Sequence, residues 1–372
     1  ANSHISIGYQ AGYSQTSGIR NTNLGYKSGY THTSNSNITN LGYESGILNT
    51  GAGTTNVGSQ AGYGLTGGNN TTLGYRAGYK DGLSQSGSYN VYVGSLCAYN
   101  SSGSASNNTA IGGRAMEGVS TGSDNTCIGR SSGSSITTGG SNVVIGYQAM
   151  DANTDGDDNV AIGANALGAA TSDGRTVAIG TNALLLQNQT FSPMNTAVGY
   201  AADDANVSGF GRTCIGGSSG GGATGDNITN IGYQAVTSTS SVSNEITLGN
   251  SSVTSLRCAV TSITSLSDER DKSEIKDLEY GLDLIDALQP REFVWDNRIE
   301  TDKEGKEFFS SNKGKKDFGF IAQEVQALDN DTLRLVYDEN PEKLELSYGK
   351  LVPVLVKAIQ DLSAKVTALE NA

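Results

Sequence analysis

The sequence predicts a mainly β chain: a trimeric parallel β-roll of about fifteen coils, followed by a small α+β domain that ends in a coiled-coil helix. Three observations carry this expectation. A phrase close to N-T-x-(Ile/Leu/Val)-G-Y-x-A-G recurs through the first 250 residues. Composition changes abruptly near residue 266. The last turns of the sequence place apolar residues at heptad spacing.

The repeat is clearest at Asn21–Tyr26, Asn70–Tyr75, Asn108–Gly112 and Asn195–Tyr200. Its central glycines run from Gly8 through Gly25, Gly42 and Gly58 to Gly232 and Gly249, at intervals of 16 to 20 residues. A fixed period in this range marks a stacked array. Ile, Val, Thr and Tyr favour strands, whereas Gly and Asn favour turns, so the repeat unit is not helical. About seventeen residues accommodate two short strands and two turns, one coil of a β-roll. Coils stacked at strand spacing, about 4.8 Å, would build a rod on the order of 70 Å long. The recurring glycine suits a sharp turn or a close approach to the next coil. Surplus residues at 100–107, 170–174 and 217–226 read as outward loops, with 100–107 and 217–226 the expected contacts to a host surface.

Each coil offers little apolar core, which weakens a monomer against chain entropy. The aliphatic residue before each glycine gains most by packing on two partner chains, so a homotrimer is expected. Over residues 4–250 the phrase resembles the head repeats of YadA-type trimeric autotransporter adhesins, which read N-x-A-I-G-x-x-A.

Composition excludes several function classes. The net charge is −13, contrary to the clustered Lys and Arg of a nucleic-acid partner. No apolar run approaches a membrane span, so no membrane insertion is expected. The chain begins at Ala1 rather than Met, and reads as a fragment or processed product. Cys97, Cys127, Cys214 and Cys258 form no C-x-x-C pair and lie far from His4 and His32, so no zinc site and no cofactor is expected. Cys127 and Cys214 share a repeat register with Ala, Val, Thr and Asn, which marks them as small buried side chains.

Two G-x-S-x-G matches, at 129–133 and 216–220, begin on repeat glycines. Both precede no histidine, so the nucleophile-elbow reading fails. Asp151, Asp155, Asp157 and Asp158 read as a solvated loop rather than a calcium site.

The break at residue 266 separates two kinds of chain. Residues 1–266 hold 9 Lys+Arg, 13 Asp+Glu and 45 Gly; residues 267–372 hold 15, 24 and 5. The expected division is a repeat region at 1–250, a neck at 251–266 and a terminal domain at 267–372. That domain opens on Ser267-Asp268-Glu269-Arg270-Asp271-Lys272. The phrase S-D-x-R-x-K, with Leu282–Pro290, Phe293-Val294-Trp295, Phe318–Val325 and Leu346–Leu351 downstream, resembles the endosialidase-type intramolecular chaperone. That domain ends phage tailspikes and tail fibres and occurs in myelin regulatory factor.

The resemblance implies a single-turnover autoproteolytic serine endopeptidase. Ser267 would attack the carbonyl of Leu266 with Lys272 as base, cutting between Leu266 and Ser267. A serine hydroxyl needs such a base, and burial is what turns a lysine into one. Asp268, Glu269 and Asp271 oppose a neutral lysine unless they point away or pair with Arg270. Further on, Val352, Leu355, Ile359, Leu362, Val366 and Leu369 follow a heptad pattern. Pro353 is tolerated in the first turn, and Asp361 with Lys365 is expected as an outer-face pair.

Together these readings describe the distal part of a viral tail fibre that contacts a host glycan or protein. It would fold in the host cytoplasm and reside in the virion after the chaperone is released. The alternatives are a bacterial trimeric adhesin, disfavoured by the helical end, and a glycan-cleaving tailspike, for which no local motif speaks.

Overall fold

The computed structural model describes residues 3–80, 85–189, 193–253, 255–257, 267–296, 300–301, 307–308, 313–328, 333–338, 340–342 and 344–372. The chain divides into two compact units, Ala1–Asn250 and Ser251–Ala372.

The first unit is a parallel β-solenoid. Fifteen strands, from β1 (His4–Ile7) and β2 (Asn21–Leu24) to β15 (Ile246–Leu248), form one sheet in sequence order, giving about fourteen turns. Register follows the repeat, so Val160 lies beside Val143 and Val177, and Ile162 beside Ile145 and Ile179. Each described coil contributes one strand of three or four residues to this sheet rather than two. The remainder of the coil is turn, yet its backbone is still bonded to its neighbours. Around one circuit, Arg114 N donates to Ser95 O (3.1 Å) and Asp124 N to Ser106 O (3.0 Å) in the coil before. Met116 N donates to Ser132 O (3.0 Å) and Ser120 N to Thr137 O (2.8 Å) in the coil after. Backbone groups are thus satisfied between coils, as buried polar groups must be.

The repeat residues divide the work. From β2 to β14 (Thr229–Ile231) the middle of the strand points inward, where Ala110, Cys127, Val144, Ala161, Ala178 and Ala197 form a narrow apolar column, with Cys214 buried at the same register. Towards the first coils the same column is polar: Asn40 Nδ2 donates to Asn23 Oδ1 (2.9 Å), and Asn56 Nδ2 to Asn40 Oδ1 (2.8 Å). Thr72 Oγ1 continues the chain to Asn56 Oδ1 at 2.8 Å.

The asparagine that opens the phrase builds a second ladder. Asn142 Oδ1 accepts the backbone N–H of Asn159 (2.9 Å), while its Nδ2 donates to Gly156 O (2.9 Å) in the next coil. Arg212 takes this position once, wholly buried and ion-paired with Asp203. Its Nη1 reaches Gly225 O at 2.7 Å, the equivalent of the carbonyl that Asn195 reaches at Gly209. Burial pushes the Asp203 carboxyl up, and the guanidinium beside it pulls it back.

The recurring glycine is required by space. At Gly146, φ is +141° and an added Cβ would lie 2.4 Å from Gly163 O. The residue before it faces outward: Leu24, Leu41, Leu73, Ile111, Ile215 and Ile231 are exposed along the sheet's outer face. The surplus segments are not protruding loops. Ala105 is buried, as are Ala223 and Gly225, and Thr224 N donates to Ser240 O (2.6 Å) of the next coil.

In the second unit, α1 (Leu282–Ala287) packs on α3 (Leu351–Glu370), and β16 (Arg291–Val294) pairs antiparallel with β19 (Lys316–Gly319). Two further hairpins are β17 (Glu300–Thr301) with β18 (Glu307–Phe308), and β20 (Val336–Tyr337) with β21 (Glu345–Leu346). α2 (Ala322–Gln326) supplies Val325 to a small core with Leu288 and Leu335. On α3, Val354 and Ala358 are buried, while the heptad residues Val352, Leu355, Ile359, Leu362, Val366 and Leu369 are exposed. Asp361 pairs with Lys357 (2.6 Å) rather than with Lys365, because α1 draws it inward. Lys357 and the backbone N–H of Leu282, at the start of α1, hold its carboxyl below the usual range.

Candidate active site

Ser267 and Lys272 are five residues apart, and a tight turn closes that gap. Asp268 initiates a 3-10 turn at Glu269–Asp271 by accepting Arg270 N on Oδ1 (2.9 Å). Lys272 leaves the turn in extended conformation, its N–H bonded to Glu269 O (3.1 Å). Its side chain returns to the start: Nζ lies 2.6 Å from Ser267 Oγ and 3.1 Å from Ser267 O. That is hydrogen-bonding distance for a base and the hydroxyl it would deprotonate.

The acidic neighbours are arranged around this pair. Asp268 and Arg270 form a bidentate contact, Nε to Oδ1 at 3.0 Å and Nη2 to Oδ2 at 2.7 Å. Arg270 holds the Asp268 carboxyl below the usual carboxylate range. Ser267, Glu269, Asp271 and Lys272 are solvent-exposed in the single chain. Leu266, the expected acyl side of the cut, lies outside the described residues, as does Cys258 of the neck.

The downstream motif residues meet one another rather than the Ser–Lys pair. Tyr348 Oη accepts Phe320 N (3.1 Å), and a side chain at Gly319 would strike the same hydroxyl at 2.6 Å. Arg291 grips Glu324 with two bonds, 3.1 and 3.0 Å. Trp295 Nε1 donates to Asp317 Oδ2 at 3.2 Å. These groups tie β16, β19, α2 and the turn before α3 into one scaffold. Their sequence spacing gave no sign of who bonds to whom.

The other candidates dissolve into the solenoid. Ser131 and Ser218 sit at the coil corner, their N–H groups bonded to Gly113 O (3.0 Å) and Tyr200 O (2.8 Å). His4 bonds Gln15, and His32 is buried against Gly46 O. Asp151 turns to Gln148, Asp157 to Gly140 N and Asp158 to Arg175. Among the described residues no three His, Cys, Asp or Glu side chains converge to hold a metal. Cys97, Cys127 and Cys214 are free thiols, each pushed up to about 12 by burial. They are packing residues, not nucleophiles. No described helix is long and apolar enough to cross a membrane.

In comparison with known families, residues 267–334 fit the family described as chaperone of endosialidase. The match opens on Ser267. That family is one of self-cleaving intramolecular chaperones, and residues 267–334 are similar to it. No curated protein matches the chain, and no solved structure does.

Proposed function

We propose that this chain is the distal segment of a phage tail fibre or spike, which trimerises with help from residues 267–372 and then cuts itself between Leu266 and Ser267. The observation that carries the cut is the 2.6 Å contact of Ser267 Oγ with Lys272 Nζ at the first residue of the family match. Ser267 Oγ adds to the Leu266 carbonyl carbon while Lys272 takes the hydroxyl proton. The intermediate collapses to an ester as the C–N bond breaks, and Lys272 returns the proton to the leaving nitrogen of Ser267. Water then hydrolyses the ester, leaving a Leu266 carboxylate and restoring the Ser267 hydroxyl.

Two apolar faces exposed in the single chain support the trimer: the outer column of the solenoid sheet, and the heptad seam of α3. The exposed dyad fits a reaction that waits for assembly, because burial among partner chains favours a neutral amine. Mature fibre would then remain in the virion without its chaperone.

Attachment to a host glycan or protein draws support from the first six coils. Eleven of the 17 tyrosines lie before residue 100. Tyr9, Tyr26 and Tyr43 stack at 5.5 and 5.3 Å, Tyr13 lies on Tyr30 at 5.2 Å, and Lys27 covers Tyr26 and Tyr30. Exposed rings with a polar tip serve recognition well.

Mass spectrometry of the freshly folded full chain tests the cut. The expected products are residues 1–266 and 267–372, with Ser267→Ala and Lys272→Ala each leaving one chain. A wild-type chain that stays whole under all folding conditions, as a trimer, would overturn autoproteolysis.

A further inference from the structure

Resting on the self-cleavage reading above, we propose that Asp268 and Arg270 form a neutral clasp that positions Lys272 against Ser267 and keeps its surroundings from fixing it in the charged form. Neither residue touches the bond to be cut. Asp268 acts twice within four residues. Its Oδ1 receives Arg270 N (2.9 Å), which starts the 3-10 turn. Its two oxygens also take the Arg270 guanidinium, at 3.0 and 2.7 Å. The turn is what carries Lys272 Nζ back to Ser267 Oγ.

The clasp also acts through charge. The charged groups in this turn and just beyond are Asp268, Glu269, Arg270, Asp271, Lys272 and Glu274, all on one stretch of chain. Among the described residues the hydrogen bonds of Lys272 Nζ both go to Ser267. A bare carboxylate beside a nucleophile favours the charged form of a nearby amine, and an ammonium cannot serve as base. Arg270 cancels the carboxylate next to the nucleophile, and the bidentate geometry holds that cancellation in place. A lysine at 270 would be a weaker substitute, since it lacks the fork that grips both oxygens.

This makes Asp268 and Arg270 positioning residues with opposite signatures in pH. The experiment is the rate of self-cleavage of the refolding full chain against pH, read by gel densitometry. Arg270→Gln leaves Asp268 bare, so the profile should move to higher pH by roughly 0.5 unit, the size of one exposed charge at this range. Asp268→Asn keeps the turn-starting oxygen but removes the charge, so its profile should move to lower pH. The double variant Asp268→Asn/Arg270→Gln should return the profile to the wild-type position. Asp268→Ala loses the oxygen as well, and its plateau rate should fall about tenfold or more. Arg270→Lys should recover part of the wild-type position.

A purely structural turn would lower plateaus and move no profile, and that result overturns the electrostatic clasp. Wild-type rates at every pH in all these variants would overturn the positioning role too. Cleavage that persists in Ser267→Ala would instead overturn the reading on which this inference rests, a failure visible in that control alone.

Discussion

At the scale of single residues, the solenoid depends on side chains that replace backbone partners. Asn142 fills one donor and one acceptor across a coil boundary, and a buried group left without its partner costs about 1–3 kcal/mol. The ladder was invisible in the sequence, because Asn before a strand reads equally well as an exposed turn former. His32 is the exception with a pH signature. It is wholly buried, its Nε2 donates to Gly46 O (3.1 Å), and Nδ1 has no partner among the described residues. Burial lowers its pKa from 6.5 to about 4. The unfolded chain therefore binds a proton that the fold refuses. Stability is full above pH 6.5 and is lost as pH falls from there to about 4, by about 3 kcal/mol at the acid end. The same column holds Asn49, Asn153 and Asn206, each bonding a glycine N–H just ahead. His32→Asn should remove this part of the acid sensitivity, measured as the difference between wild-type and variant melting at pH 7 and pH 4.5. Equal acid sensitivity in the two chains would contradict it.

At the scale of elements, the glycine and the strand that precedes it define the coil. The repeat phrase made the period, the strand and the glycine legible, because backbone φ and strand propensity act locally. It did not reveal that a coil needs only one strand. Turn backbone bonds the next coil almost as regularly as a ladder does, and that regularity arises from stacking rather than from local preference. The buried Arg212–Asp203 pair was missed for a related reason. The two sit nine residues apart, a spacing that carries meaning only once the coil is wound. Gly146 offers the direct test of the close approach. Gly146→Ala must place a methyl 2.4 Å from Gly163 O with φ in the left-handed region. The expected loss is about 2 kcal/mol or more, combining backbone strain with displaced stacking. Denaturant unfolding of the variant against wild type would register it. An unchanged midpoint would mean that neighbouring coils slide apart freely.

At the scale of the whole molecule, the proposed cut and the proposed assembly should be one event in sequence. The Ser267–Lys272 pair is formed by a local turn, so it exists in a single chain, and the S-D-x-R-x-K phrase made it readable in advance. Its solvent exposure was not readable, since burial depends on what packs over a turn. An exposed amine beside a hydroxyl is poorly suited to deprotonate it; enclosure by partner chains would supply what the single chain lacks. The heptad seam on α3 gives a handle on that enclosure. Leu362 is exposed, so Leu362→Asp should leave the second unit folded while placing three carboxylates at the centre of a trimeric coil. That variant is expected to sediment as a monomer and remain uncut, although Ser267 and Lys272 are intact. Ser267→Ala should do the reverse, sedimenting as an uncut trimer. For wild type refolded from dilute solution, the cleavage rate should rise with chain concentration until assembly ceases to limit it, a dependence absent from a reaction complete within one chain. If Leu362→Asp is cut at the wild-type rate as a monomer, the local turn alone is sufficient. Self-cleavage would then be a property of residues 267–272 rather than a report that the fibre has assembled.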